Sequence, residues 1–176
     1  MHIEARLAQQ RLVLPEALRV PAGVEIPFAW VRVRGDRAYV SGHGPQNLDG
    51  TLAGPFGKVG AEVSLEDARR AARLATLAML GSLKRALGDL DRVTAWLRVF
   101  GMVNVAPGFM QTTQVINAAS DLIVALWGPD AGQHARAAVG MAELTQGLPV
   151  VIEAEVEIAP AAVPTETRRT ESQQAP

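Results

Sequence analysis

The chain has 176 residues, 48% of them hydrophobic and 20% charged, with a formal net charge of −1. That length and balance fit one globular domain and give no general attraction to nucleic acid or anionic lipid. There is no cysteine, which excludes disulfides, thiolate nucleophiles and cysteine-ligated metals; with only His2, His43 and His134 as histidines, no metal site and no other cofactor is expected.

The amino terminus, MHIEARLAQQ, has no basic start followed by an apolar run, and no stretch of about 18 apolar residues occurs. A cytoplasmic protein without a membrane partner is expected. Residues 1–27 read as an N-terminal extension, a strand or irregular arm around the apolar Leu12–Leu14. Ala29–Val33 and Arg37–Ser41 are β-rich runs, and Arg34-Gly35-Asp36 between them suits a hairpin turn. Residues 42–60 hold six glycines and two prolines, which excludes a helix; a connection of that length is often functional.

A helix is predicted from Ser64, which with Asp67 forms a variant of the capping box. Ala68, Ala72, Ala75, Met79 and Leu83 line its apolar face, and Gly88 stops it. Arg92–Asn104 reads as a long strand. Pro107 is placed at the first turn of a second helix, with Phe109, Ile116, Ala119, Ile123 and Leu126 on its apolar side and Gly128 at its end. Two strands follow, Ala135–Glu143 and Val150–Ile158. In the last, Val150, Ile152, Ala154, Val156 and Ile158 share one face, while Glu153, Glu155 and Glu157 share the other with Val151. Residues 161–176 are polar and proline-containing and read as a disordered C-terminal tail.

The order β-β-α-β-α-β-β implies an α+β fold, a mixed sheet with two helices on one face. The second face must then meet water or another subunit.

Three segments carry a family resemblance. VSGHGP at 40–45 is similar to V/T-SGQ-x-P; LGDLDRVTAWLRVFGMVN at 87–104 is similar to G-x-x-x-x-D-V-V-K-x-x-V-F-V; and HARAAVGMAELTQGLPVVIEAEVEI at 134–158 is similar to P-A-R-x-x-V-x-V-x-x-L-P-x-x-x-x-V-E-I-E-A. These are patterns of the RidA/YjgF family, and the chain resembles a longer branch of it. The resemblance implies a chorismate-mutase-like domain over residues 28–160, assembled as a homotrimer with a ligand cleft at each subunit interface. It also implies binding of a small carboxylic-acid metabolite, and hydrolysis of enamines or imines such as 2-aminoacrylate.

By the same resemblance, Arg136 is the arginine that grips the substrate carboxylate. Ser41 and Gly42 stand for the family's Ser-Gly pair, Phe28 for a tyrosine, and Asn117 for an asparagine across a two-residue difference in spacing. Val151 stands where the RidA pattern has the glutamate that positions the hydrolytic water. The water would then need Glu153 or His43, which are the candidate catalytic residues. The alternative is a trimeric binding protein that has lost hydrolysis.

The residues permit plainer readings as well. Arg136 offers a planar fork for a carboxylate, the plainer reading being a structural salt bridge, for instance to a neighbour's glutamate. His43 has a pKa suited to acid–base work, yet a loop histidine is commonly solvated. His134 lies two residues from Arg136, so both side chains point to one face, beside a ligand or at a surface. Ser41 could be a nucleophile only with a base beside it, and with no Gly-x-Ser-x-Gly elbow and no Ser/His/Asp arrangement in the sequence it suits a hydrogen bond to a ligand instead. The glycine-rich loop lacks the Gly-Lys-Ser/Thr of a phosphate loop. Arg69, Arg70 and Arg73 mark the solvated side of the first long helix. Some family members carry an endoribonuclease label; the balanced charge and single tyrosine give that no support.

Overall fold

The computed structural model describes residues 2–160. The tail expected at 161–176 lies outside the described residues. The elements are α1 (Ile3–Gln9), β1 (Val31–Arg34), β2 (Arg37–His43), α2 (Leu65–Leu87), β3 (Val93–Asn104), α3 (Thr112–Ala131), β4 (Ala135–Met141) and β5 (Val150–Ile158). The strands form one sheet in the order β1-β2-β5-β3-β4. All neighbours are antiparallel except β3 and β4, which are parallel. This is the α+β architecture expected, with one helix more.

The alternation of β5 explains how the layers form. Val150, Ile152, Val156 and Ile158 are buried beneath α2 and α3, together with Val99 and Val103 of β3 and Ala38 and Val40 of β2. Small residues bring α2 close to the sheet: Ala68, Ala72, Ala75 and Ala78 are fully buried. Ser64 caps α2 by accepting from the Asp67 backbone N–H, and Gly88 ends it at a φ of 80°. The opposite sheet face is open, carrying Arg32, Tyr39, Arg98 and the glutamates of β5.

Two sequence expectations change. The segment expected as a strand or irregular arm begins as a helix, α1. It is only seven residues long, too short to be stable alone, and tertiary contacts hold it. Ile3 and Leu7 are buried in the common core. The Ile3 N–H donates to Asp91 at 2.7 Å, and the Lys84 ammonium donates to Glu4 at 2.5 Å. After Leu12–Leu14 the chain continues as an irregular arm across α2.

The second helix starts at Thr112 and not at Pro107. Pro107 and Gly108 form a turn that the Phe109 N–H closes onto the Ala106 carbonyl, with Gly108 at a φ of 86° that cannot continue into a helix. Phe109 therefore packs from this turn. Gly128 does interrupt the helix, at a φ of 86°, and Pro129–Ala131 add a further short turn.

Candidate functional site

β4 is an edge strand, and its register decides where Arg136 points. Arg136 lies level with Val99 of β3, which lies level with Ala154 of β5. Residues in one such row share a face, so Arg136 projects toward the helices, at the border of the sheet. There its Nη1 donates to Ser120 Oγ of α3 at 2.9 Å. His134 Nε2 lies 3.0 Å from the same hydroxyl, and His134 Nδ1 lies 2.8 Å from the Gly132 carbonyl.

The proton positions follow from the partners. A carbonyl only accepts, so Nδ1 carries the ring proton. Burial lowers the pKa of His134; the Gly132 hydrogen bond raises it and the Arg136 charge lowers it, for a net shift down. The ring is thus neutral near pH 7, Nε2 is an acceptor, and the Ser120 hydroxyl donates to it. The oxygen lone pairs of Ser120 are left for Arg136. The result is a directed Arg–Ser–His relay that fixes the guanidinium. A cavity of about 370 Å³ lies beside it, lined by Ser120, Val124, Gln133, His134 and Arg136. Among the described residues Arg136 has no carboxylate partner, so the structural salt bridge considered from sequence is not made among them. Asn117 stands exposed on α3, one helical turn before Ser120.

Ser41, Gly42 and Glu153 are on the other side of the sheet. Ser41 donates from Oγ to the Ala29 carbonyl at 2.7 Å. That bond ties β2 to the segment carrying Phe28, which is 53% exposed and packs edge-on against Trp30. Gly42 lies against Val151: a Cβ on Gly42 would come within 2.8 Å of Val151 Cγ1. Glu153 lines an open-face cavity of about 260 Å³ with Tyr39, Ser41, Arg32 and Arg98. Its row mate on β3 is Phe100. One chain therefore presents the arginine on the helix side, at the β4 edge, and the Ser-Gly pair, Val151 and Glu153 on the open side.

Residues 4–147 match the model of the YjgF/chorismate mutase-like family, whose description carries an endoribonuclease label. The chain belongs to this YjgF family. The match begins within α1, so it reaches into the segment that sequence reading set apart as an extension. Similar proteins include Protein TCP17 of Trypanosoma cruzi, 38% identical over 157 residues, 89% of this chain and 94% of that one. A crystal structure of a protein of unknown function from Agrobacterium tumefaciens is 38% identical with a TM-score of 0.78, covering 89% of this chain and 91% of that chain. A Shewanella oneidensis crystal structure that bears an endoribonuclease label is 28% identical with a TM-score of 0.79, covering 90% of this chain and 100% of that chain. Among the described residues no helix is long and apolar enough to cross a membrane.

Within this YjgF-family fold, His43 is not the loop residue that sequence reading offered as a water partner. It closes β2, is 2% exposed, and turns toward α2. Its Nδ1 lies 2.6 Å from the Ser41 carbonyl and its Nε2 2.8 Å from Ser82 Oγ. Burial drives its pKa down to about 4; the hydrogen bond to Ser41 raises it and the charge of Arg85 lowers it further. Both nitrogens are engaged, so the ring has no lone pair for a substrate water. Ser120, which sets the geometry of Arg136, was not singled out from sequence. Its only signal there is its place in the phrase Asn-Ala-Ala-Ser at 117–120.

Proposed function

We propose that the protein is a homotrimer that binds a small carboxylic-acid metabolite between copies, with Arg136 of one chain gripping the carboxylate. The observation that carries this is the state of Arg136: a guanidinium oriented by Ser120, without a carboxylate partner among the described residues, at an open sheet edge beside a cavity. A charged fork held in this way is prepared for a bidentate anion. Ser41 and Gly42 face away from Arg136 within one chain, so a single ligand meets both groups only if a second copy supplies one of them. Membership of the YjgF family supports the same assembly.

Binding without efficient imine hydrolysis is the reading the residues favour. Val151 and Gly42 make an apolar contact where the RidA pattern has its water-positioning glutamate, and both ring nitrogens of His43 are engaged. A second reading retains enamine or imine deamination, with Glu153 holding the water. Its support is that Glu153 and Ser41 line one cavity.

Light scattering should give three times the chain mass of 18.7 kDa; a monomer rejects the assembly. Titration calorimetry with pyruvate and 2-oxobutyrate should show binding that Arg136→Ala weakens by roughly ten- to a hundredfold, the worth of a charged hydrogen bond. Equal affinity in both proteins rejects the site. Release of 2-oxo acid from 2-aminoacrylate separates the two readings. Slow turnover that rises in Val151→Glu, toward the 10²–10⁴ or so that acid–base assistance provides, supports the lost-hydrolysis reading. Fast turnover abolished by Glu153→Gln supports the other.

A further inference from the structure

The Arg–Ser–His relay at Arg136 has a counterpart elsewhere in the chain. On α2, Arg85 Nη2 donates to Ser82 Oγ at 3.1 Å, and Ser82 Oγ lies 2.8 Å from His43 Nε2. His43 Nδ1 meets the carbonyl of the residue two places before it, as His134 Nδ1 does. The same logic orders the protons. Nδ1–H donates to Ser41, the Ser82 hydroxyl donates to Nε2, and the Ser82 oxygen accepts from Arg85. The guanidinium makes one more bond, from Nη1 to the Pro15 carbonyl at 3.1 Å. Of its five N–H donors, three remain, and among the described residues no carboxylate pairs with it.

The relay opens into a cavity of about 250 Å³. Its floor is His43, Ser82 and Gln46, its apolar walls are Trp30, Val31 and Ala86, and its roof is Ala17 and Leu18 of the N-terminal arm. Trp30 packs against His43 with ring centroids 5.0 Å apart. The arm is held in place as a roof. The Glu16 and Arg19 N–H groups donate to the Leu48 and Gly50 carbonyls, both at 2.9 Å. A Cβ on Gly81 would stand 3.2 Å from the Pro15 oxygen, so the glycine lets the arm lie close on α2. Gln46, 4% exposed, leaves its Oε1 without a hydrogen-bond partner. Arg85, exposed to solvent and without a counter-ion among the described residues, thus lines the same tryptophan-walled pocket as a buried acceptor, Gln46 Oε1, that has no donor.

We infer that this cavity is a second ligand site, separate from Arg136, for a small organic carboxylate with an aromatic or branched apolar body. Arg85 holds the carboxylate through the N–H groups that Ser82 and Pro15 leave free. Trp30, Leu18 and Val31 receive the body. Ser82 orients the guanidinium and, having given its proton to His43, makes no donor contact of its own. Pockets of this build, mostly apolar with a few convergent polar groups, are the usual form of small-molecule sites. The inference does not depend on the Arg136 reading.

Tryptophan fluorescence tests it, because Trp30 lines the cavity while Trp96 and Trp127 are buried in the core at 2% exposure. Phenylacetate is the probe and phenylacetamide its neutral counterpart. The expected result is a saturable change with phenylacetate, at least about tenfold weaker with the amide. The signal disappears in Trp30→Phe, affinity falls roughly ten- to a hundredfold in Arg85→Met, the cost of losing a charged hydrogen bond, and Arg85→Lys is intermediate. Arg136→Ala leaves the titration unchanged. Absence of a saturable change in the wild type overturns the site, as does a signal that survives Trp30→Phe. If Arg136→Ala abolishes the signal and the Arg85 variants retain it, the probe is at the subunit-edge site and the inference fails while the proposed function stands.

Discussion

The two relays use the same three residue types in the same bonding order, yet their surroundings differ. At Arg85 the histidine is 2% exposed, the serine 8%, and an arm of the chain lies over them. At Arg136 the histidine and serine are only half-buried, and the arginine stands at the unpaired edge of β4. The local chemistry is therefore not what separates a closed pocket from a candidate intersubunit cleft. What separates them is whether the fold brings its own cover. The arm from Pro15 to Arg19 covers the His43–Ser82 end of one relay and leaves Arg85 exposed, whereas among the described residues no such arm lies over the other, which leaves room for a second copy.

Protonation should give the largest measurable difference between them. His43 has its pKa pushed from 6.5 to about 4. The unfolded chain takes up this proton below about 6.5, a proton native His43 refuses until about pH 4. In that window the unfolded state binds more protons, so stability falls as pH falls, and the contribution is fully present above 6.5. A shift of that size corresponds to roughly 3 kcal/mol. His134 shifts in the same direction, but its site opens to water, so its share should be smaller. Urea denaturation at several pH values should show a flatter profile for His43→Asn than for wild type, with His134→Asn between them. The carboxylates that also lose stability in acid, Glu4 and Asp67 among them, are common to all three proteins and cancel. Equal flattening by both variants would mean that the two relays are equally solvated, and the comparison would break.

Ser82→Ala should follow in size. It strands His43 Nε2 in a buried site and removes one partner of Arg85, a loss of about 1–3 kcal/mol for an unsatisfied buried group. Thermal melting at neutral pH measures it. A change within about 0.5 kcal/mol, the range of ordinary surface substitutions, would show that water reaches the closed relay freely.

Much of the fold was legible because β5 alternates without interruption and α2 carries a capping serine, an alanine face and a terminal glycine. α1 was not, since Ile3 and Leu7 are a single helical repeat and the helix depends on Asp91, Lys84 and the core. The start of α3 was misplaced because Pro107 fits both a first helical turn and a tight turn, and Gly108 decides for the turn. At the site, the sequence placed Arg136 and His134 on one face, as the structure has them. It did not reveal that Glu153 and Ser41 face the other way, because strand alternation is known within each strand while the relation between strands depends on pairing. Neither relay was legible. Ser82 lies far in sequence from His43, and Ser120 is on a different element from His134 and Arg136, so a helical serine signals little until the sheet register shows what it meets.

The smallest effect, and the most selective, should come from Ser120→Ala. Ser120 is half-buried, so water can replace its hydroxyl at both His134 and Arg136, and the change in stability should stay within about 0.5 kcal/mol. The guanidinium, however, loses the contact that aims it. Ser120 aims the guanidinium without meeting the ligand, so the loss should not exceed that of an ordinary hydrogen bond, about 0.5–1.5 kcal/mol, and carboxylate affinity at the Arg136 site should fall roughly two- to tenfold, less than in Arg136→Ala. Ser120→Thr, which keeps the hydroxyl, should restore most of it. Calorimetry with pyruvate on the three proteins, beside their melting curves, separates aiming from packing. Loss of affinity in proportion to loss of stability would make Ser120 a packing residue only. Loss of affinity at constant stability makes it the positioning residue of the open relay, the role that Ser82 has under cover of the arm.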